Sequence, residues 1–339
     1  FHKRVNTLGL YDFTFYDLIN RNARIFADLP AWYEIDDDRS LCFAEYKATV
    51  DSLARGLQKA GVSKGDRIGV LGKNSLEYFQ VYGAAAALGA IVLPVNWRLS
   101  AEEVCFNLND GTPVALFVDQ EYQELIKDNK NRLSSVESFY NLKANGGRFT
   151  PFSSLLNDGG DNTFDLSAVD VSANDGLVII HTAAVAGRPR GALLSHNNIL
   201  CANMHLIQLF NLTSSDVHLN LLPMFHIAGL VMMTSSFHIG APSANMNKFD
   251  ATRAVDMIEQ RKASIMFDFS PILGSIVDEA EKTGRDIRAL RGVLGLDTPE
   301  TIEKYQEVTG GTFYNMYGQT ETSCLATLGE YSEKPGSAG

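Results

Sequence analysis

Residues 181–191 read HTAAVAGRPRG, between the apolar run Leu177–Ile180 and a following Gly-Ala-Leu-Leu. Glycines, a proline and two arginines between apolar segments describe a turn suited to an anion. The Gly-x-x-x-x-Gly-Lys-Ser/Thr phosphate loop is not present. The turn also lies between two predicted strands, so a helix dipole is not its main attraction. Backbone N–H groups and the Arg190 guanidinium are left to hold a phosphate. Small side chains at Ala183, Ala184 and Ala186 would let it approach the backbone, and only Thr182 supplies a hydroxyl. A tight hairpin with a solvated arginine has the same composition.

Two further stretches carry chemistry. In Leu222-Pro223-Met224-Phe225-His226-Ile227-Ala228-Gly229, a histidine follows an aromatic at a strand-to-helix junction, where it can touch a ligand. A lone histidine in apolar company also serves as a satisfied core residue. In Tyr314-Asn315-Met316-Tyr317-Gly318-Gln319-Thr320-Glu321, Tyr317 is fit to stack on a purine, and Thr320 to hydrogen-bond a phosphate. Glu321 is a hard oxygen ligand for Mg²⁺. A polar turn with a solvated glutamate is the plainer account of the same residues.

The elements that must position these residues alternate between strand and helix. Asn74 with Glu77, and Ser100 with Glu103, read as helix-capping pairs. They predict helices over 75–88, ended by Gly89, and from 101 to about 110. Strands are expected at Ile91–Val95 and Val114–Val118. Residues 141–175 are rich in Gly, Asn and Asp, at 143–147 and 157–162 above all, and read as a linker between two halves. The rhythm resumes with strands at 177–181, 191–194, 217–222, 264–267, 292–296 and 312–314. Helices are expected at 197–210, 226–238, 250–261 and 271–282. This pattern predicts an α/β fold with largely parallel sheets.

With 339 residues and 45% apolar composition, the chain is long enough for about two domains with a sizeable core. Its net charge of −11, from 40 acids and 29 bases, argues against a nucleic-acid binder. The four cysteines are far apart and form no CxxC pair, which points away from zinc and toward a reducing cytoplasm. The longest apolar stretch, Tyr82–Val95, is broken by Gly83, Gly89 and Pro94 and is too short for an integral membrane segment. All eight methionines fall between Met204 and Met316. Met232, Met233 and Met266, with Phe210, Phe225, Phe237 and Phe269, are candidates for an adaptable apolar pocket or for plain core.

Taken together, the three stretches resemble the adenylate-forming superfamily, in particular the AMP-forming acyl-CoA synthetases. HTAAVAGRPRGALLSH stands where that family carries YTSGTTGxPKGVxxSH. LPMFH and YGQTE match two further family motifs, and 65–70 through 94–99 is similar to its opening subdomain. The resemblance implies the N-terminal domain of that fold, with two similar helix-flanked, mainly parallel sheets. It divides the chain into a first α/β subdomain at 1–165 and a second at 166–330 that carries the phosphate loop and acyl pocket. The start of a β-barrel subdomain follows at 331–339.

The implied reaction has two steps. A carboxylate, fatty or aromatic, attacks the α-phosphate of ATP to give an acyl-adenylate, and coenzyme A then takes the acyl group. A carrier protein or other acceptor in place of coenzyme A, or a non-catalytic nucleotide- or acyl-binding module, are the alternatives, and assembly into a homo-oligomer is left open. By resemblance, Thr182, Gly187, Arg190 and Gly191 surround the β- and γ-phosphates. Asn315, Tyr317, Gly318, Gln319 and Thr320 line the AMP portion, with Tyr317 on adenine and Thr320 at the α-phosphate. Glu321, with Thr182, holds Mg²⁺. Gly295, Leu296 and Asp297 pass beside the adenine, and His226 stands near the acyl carboxylate.

Two departures stand out. The usual Ser-Gly-Thr-Thr is Ala183-Ala184-Val185-Ala186, and Arg190 replaces lysine while keeping the charge and adding a bidentate fork. Asp297 replaces a small apolar residue; it is placed either to accept from the adenine amine or to face water. Pro335–Gly339 resembles a point partway through the family's large domain. The expectation is therefore of an incomplete chain that lacks the ribose-binding Asp and the small C-terminal domain, and is inactive alone.

Overall fold

The computed structural model describes residues 12–143, 147–160, 164–182 and 187–339. Along the chain come α1 (Phe15–Ile25), β1 (Pro30–Glu34), β2 (Arg39–Cys42), α2 (Phe43–Lys59), β3 (Arg67–Leu71), α3 (Leu76–Leu88), β4 (Ile91–Val95) and α4 (Ala101–Gly111). Next are β5 (Ala115–Val118), α5 (Gln123–Asn129), β6 (Ser138–Asn141), α6 (Phe152–Asp158), β7 (Gly176–Thr182), β8 (Arg190–Ser195) and α7 (His196–Leu209). Then follow β9 (His218–Asn220), α8 (Ile227–His238), β10 (Ser243–Asn245), α9 (Ala251–Arg261) and β11 (Ile265–Phe269). The chain closes with α10 (Ile272–Thr283), β12 (Gly292–Leu296), α11 (Pro299–Thr309), β13 (Thr312–Tyr317) and β14 (Thr327–Glu330).

These elements form two compact units. The first holds residues up to Ala27, Phe43–Lys73 and Glu77–Leu200. Its sheet runs β6-β5-β3-β4-β7-β8, parallel except for the β7–β8 pair. The central strands are short apolar runs: all four residues of β5 are buried, as parallel strands covered on both faces require. Ser100 and Glu103 form the predicted capping box at α4, and Gly89 takes φ +66° just past α3. The expected linker is instead largely packed structure. A Cβ on Gly56 of α2 would lie 2.1 Å from the Leu155 carbonyl oxygen of α6, and one on Gly159 would lie 1.7 Å from that of Ser52. Glycine at both positions lets the two helices touch backbone to backbone. The turn composition reads as linker because this contact is made by absent side chains. Residues 144–146 and 161–163 of that stretch lie outside the described residues.

The second unit holds Asp28–Cys42, Asn74–Leu76 and Cys201–Gly339. Its sheet runs β14-β13-β12-β11-β9-β10-β1-β2, parallel through the middle and antiparallel at both ends. Its core gathers Leu219, Met266, Val293 and Phe313 from the strands with Val255, Ile276 and Ile302 from α9, α10 and α11. The division differs from the expected boundary at 165/166. β7 and β8 complete the first sheet, so the expected phosphate loop springs from the first unit. Residues 30–42, far away in sequence, complete the second sheet. A buried polar ladder holds them there: the Asn220 amide donates to Asn245 Oδ1 at 3.0 Å, and the Asn245 amide to Glu34 Oε1 at 2.8 Å. Glu34 Oε2 accepts from Trp32 Nε1 and from the Leu76 N–H. Residues 331–339 turn back along β13 and β14, with Asn315 donating to the Ser337 carbonyl at 3.1 Å.

Candidate functional site

The first group of site residues sits on one hairpin of the first unit. β7 and β8 pair with Thr182 opposite Arg190 and His181 opposite Gly191. The loop therefore springs from two strands, as its sequence implies. Ala183–Ala186 lie outside the described residues. The Thr182 hydroxyl reaches the Arg190 carbonyl at 3.4 Å, across the base of the loop. Gly187 has φ +100°, a conformation that glycine adopts without strain. A Cβ on Gly191 would meet Ile179 Cγ2 at 2.7 Å. The two arginines differ: Arg188 lies over the Phe106 ring at 5.5 Å, while Arg190 is exposed beside the hairpin mouth. His181 is a contributor that sequence reasoning passed over. Its Nε2 is 2.9 Å from Asp110 Oδ2, and its side chain is only 4% exposed. The signal available was its place one residue before Thr182, on a strand position that faces inward.

The second group gathers at the carboxyl ends of neighbouring parallel strands in the second unit, the usual place for ligands in open α/β sheets. β9 leads into the Leu222–His226 turn, β11 ends at Phe269, β12 at Leu296 and β13 at Tyr317. Strand pairing sets Phe269 opposite Leu296 and Gly295 opposite Asn315. Tyr317 is 57% exposed and Leu296 46%, so both flat apolar surfaces are available to a ligand. Past Tyr317 the chain makes a short 3-10 turn, Thr320–Thr322. There Thr320 is buried and Glu321 exposed, and the Gln319 N–H bonds to the Thr322 hydroxyl at 3.2 Å. Gly318 is required by packing: a Cβ would fall 1.4 Å from the Cys324 carbonyl oxygen.

His226 is neither core nor loose. It is exposed, caps α8 by accepting the Ala228 N–H on Nδ1 at 3.2 Å, and stands edge-on to the Phe269 ring at 6.1 Å. The accepting Nδ1 places the proton of the neutral ring on Nε2. Asn74, expected to cap α3, instead pins this turn: its amide donates to the Leu222 carbonyl and its Oδ1 accepts the Met224 N–H, both at 2.8 Å. A cap needs only a local partner, whereas Asn74 is drawn 148 residues along the chain by unsatisfied backbone groups. The apolar pocket candidates resolve differently from one another. Phe210, Phe225, Met232, Met233, Phe237 and Met266 are buried core, and Phe269 alone is partly exposed. Methionine and aromatic content does not distinguish a pocket wall from a core.

Asp297 is half-buried and does not turn to solvent. Its Oδ1 accepts the Thr298 N–H at 2.7 Å and its Oδ2 is buried. Beside it, Asp268 of β11 is fully buried, and burial together with the Asp297 charge pushes its carboxyl up to about 8. Nothing in the linear sequence marked Asp268, because only strand pairing makes it a neighbour of Asp297. Gly295 is what lets the strands come so close: a Cβ there would lie 2.0 Å from the Asp268 carbonyl oxygen.

The AMP-binding enzyme family matches residues 19–339. The indoleacetate–CoA ligase of Aromatoleum aromaticum is 30% identical over 308 residues, which are 89% of this chain and 60% of that protein. The chain thus spans about 60% of the length of this curated relative. A putative long-chain-fatty-acid CoA ligase from Rhodopseudomonas palustris superposes with TM-score 0.90 at 40% identity, over 98% of this chain and 82% of that one. The inhibitor-bound N-terminal domain of FACL13 from Mycobacterium tuberculosis superposes with TM-score 0.87 at 25% identity, over 96% and 82%. The two mixed, mainly parallel sheets are those of the acyl-CoA synthetase N-terminal domain, and the chain belongs to the AMP-binding enzyme family of adenylate-forming acid–CoA ligases.

Proposed function

We propose that the protein activates a carboxylic acid with ATP to an acyl-adenylate and transfers the acyl group to coenzyme A, this chain being most of the adenylating domain. The observation that carries the reading is the grouping of Tyr317, Gly295, Leu296 and His226 at the carboxyl ends of adjacent parallel strands, in a family that binds AMP. The exposed Tyr317 ring and the Leu296 side chain offer apolar surface to the adenine. His226 presents its Nε2–H, a donor suited to an acyl carboxylate. Displacement at the α-phosphate needs positioning and charge neutralisation rather than a protein nucleophile. Arg190 and the backbone N–H groups of the hairpin supply the first part of that charge. Mg²⁺ fits as well: it takes one or two carboxylates plus substrate phosphates, and the exposed Glu321 would supply such a carboxylate. The ion would neutralise phosphate charge.

Fatty and aromatic acids are both worth testing, since the chain is similar to an indoleacetate–CoA ligase and to a putative long-chain-fatty-acid CoA ligase. The test is pyrophosphate exchange by the natural protein over a panel of fatty and aromatic acids, followed by addition of coenzyme A or a carrier protein. Exchange with one acid class and consumption by coenzyme A is the expected result. Exchange with transfer only to a carrier protein moves the acceptor. AMP binding without exchange for any acid makes the protein a binding module and refutes the ligase reading.

A further inference from the structure

Asp268 and Asp297 stand at two adjacent strand-to-helix turns. Asp268 Oδ1 accepts the Leu273 N–H at 3.0 Å, in the first turn of α10. Asp297 Oδ1 accepts from Thr298, the N-cap of α11. Each carboxyl thus spends one oxygen on the helix that follows its own strand. The remaining oxygens, Oδ2 of both residues, are buried and have no partner among the described residues. Strand pairing sets Asp268 opposite Gly295, which leaves Asp297, two residues on, as its diagonal neighbour. Two ionised carboxylates so placed are acceptors only, and they repel. One proton between them satisfies both oxygens.

We propose that Asp268 and Asp297 share a single proton, and that the resulting O–H···O bond ties the β11–α10 and β12–α11 turns into one platform. Asp297 is then a positioning residue for Gly295–Thr298 and makes no contact with the ligand. Only the last step, that this platform borders the nucleotide, rests on the function proposed above.

The test uses the chemistry of an acid pair, with amide hydrogen exchange at Leu296–Thr298 and AMP affinity read at one pH. Asp268→Asn or Asp297→Asn alone replaces the shared proton by an amide donor facing a carboxylate. Each single variant should exchange and bind AMP much like the parent. The Asp268→Asn/Asp297→Asn double variant sets donor against donor. It should exchange faster and bind AMP more weakly by about tenfold or more, as for loss of one buried hydrogen bond. A double variant as protected as the parent, or either single variant as loose as the double, overturns the proposal. Should the double variant not fold, infrared spectroscopy decides: the parent should show a protonated-carboxyl band at neutral pH that both single variants lose, and its absence overturns the proposal. The expected exchange pattern without AMP binding by the parent supports the shared proton and overturns the nucleotide reading instead.

Discussion

At the residue scale, the proposed function gives the exposed Arg190 guanidinium the task of holding phosphate. A hydrogen bond to a charged group contributes about 1.5–3 kcal/mol. Arg190→Ala should therefore weaken ATP binding by roughly ten- to a hundredfold, while Arg190→Lys retains most of the affinity; isothermal calorimetry checks both. Unchanged affinity in the alanine variant would remove Arg190 from the site. The acid pair predicts a pH dependence. Asp268 is raised from its ordinary value of 3.8 to about 8 by burial first and then by Asp297. Among the neighbouring groups, α10 places no charged residue in its first turn, and Glu300 of α11 is exposed. His226 faces the ring of Phe269, the next residue along the strand. The folded state holds a proton that the unfolded chain has released above about pH 4, so this group's contribution to stability is full below pH 4. It falls as pH rises toward 8 and levels off beyond. Urea titrations at several pH values should show that decline, and Asp268→Asn should flatten it.

At the element scale, strand-to-helix turns do the positioning, and their caps are part of the site. Loss of a helix N-cap costs about 1 kcal/mol. His226→Ala should lower stability by about that amount, while His226→Asn, which can still cap α8, should be near the parent in stability yet impaired in acyl-adenylate formation. Equal activity in the asparagine variant would make His226 a cap only. Asn74→Ala removes both buried bonds to the Leu222–Met224 turn, at about 1–3 kcal/mol for each backbone group left unsatisfied. It should raise KM for the acid as that turn shifts, measured alongside thermal unfolding. Most elements were legible from local pattern: α9 behind Asp250, α10, β4 and β12 lie within a residue or two of expectation. The β1–β2 hairpin, β10 and α11 were not. Pro30–Cys42 carries little apolar alternation, and its place comes from a buried ladder through Glu34 that connects residues more than 200 positions apart.

At the scale of the whole molecule, the chain spans about 60% of the length of the indoleacetate–CoA ligase it matches. The 339-residue polypeptide should bind AMP or an acyl-adenylate mimic by calorimetry and yet form negligible acyl-CoA in a thioester assay. Robust turnover by this polypeptide would contradict that. Among the described residues, no helix is long and apolar enough to cross a membrane. By itself the sequence determined the α/β class, the order of most strands and helices, and the motif residues, because capping, periodicity and short chemical motifs are local. It also carried the family, through the spacing of three motifs. Tertiary structure alone decided the rest. Pairing of distant strands sent residues 30–42 to the second sheet and β7–β8 to the first. Close backbone approach at Gly56 and Gly159 turned an apparent linker into a helix pair. Strand register set Asp268 beside Asp297, 29 positions further along the chain, a proximity that exists only once β11 and β12 lie side by side.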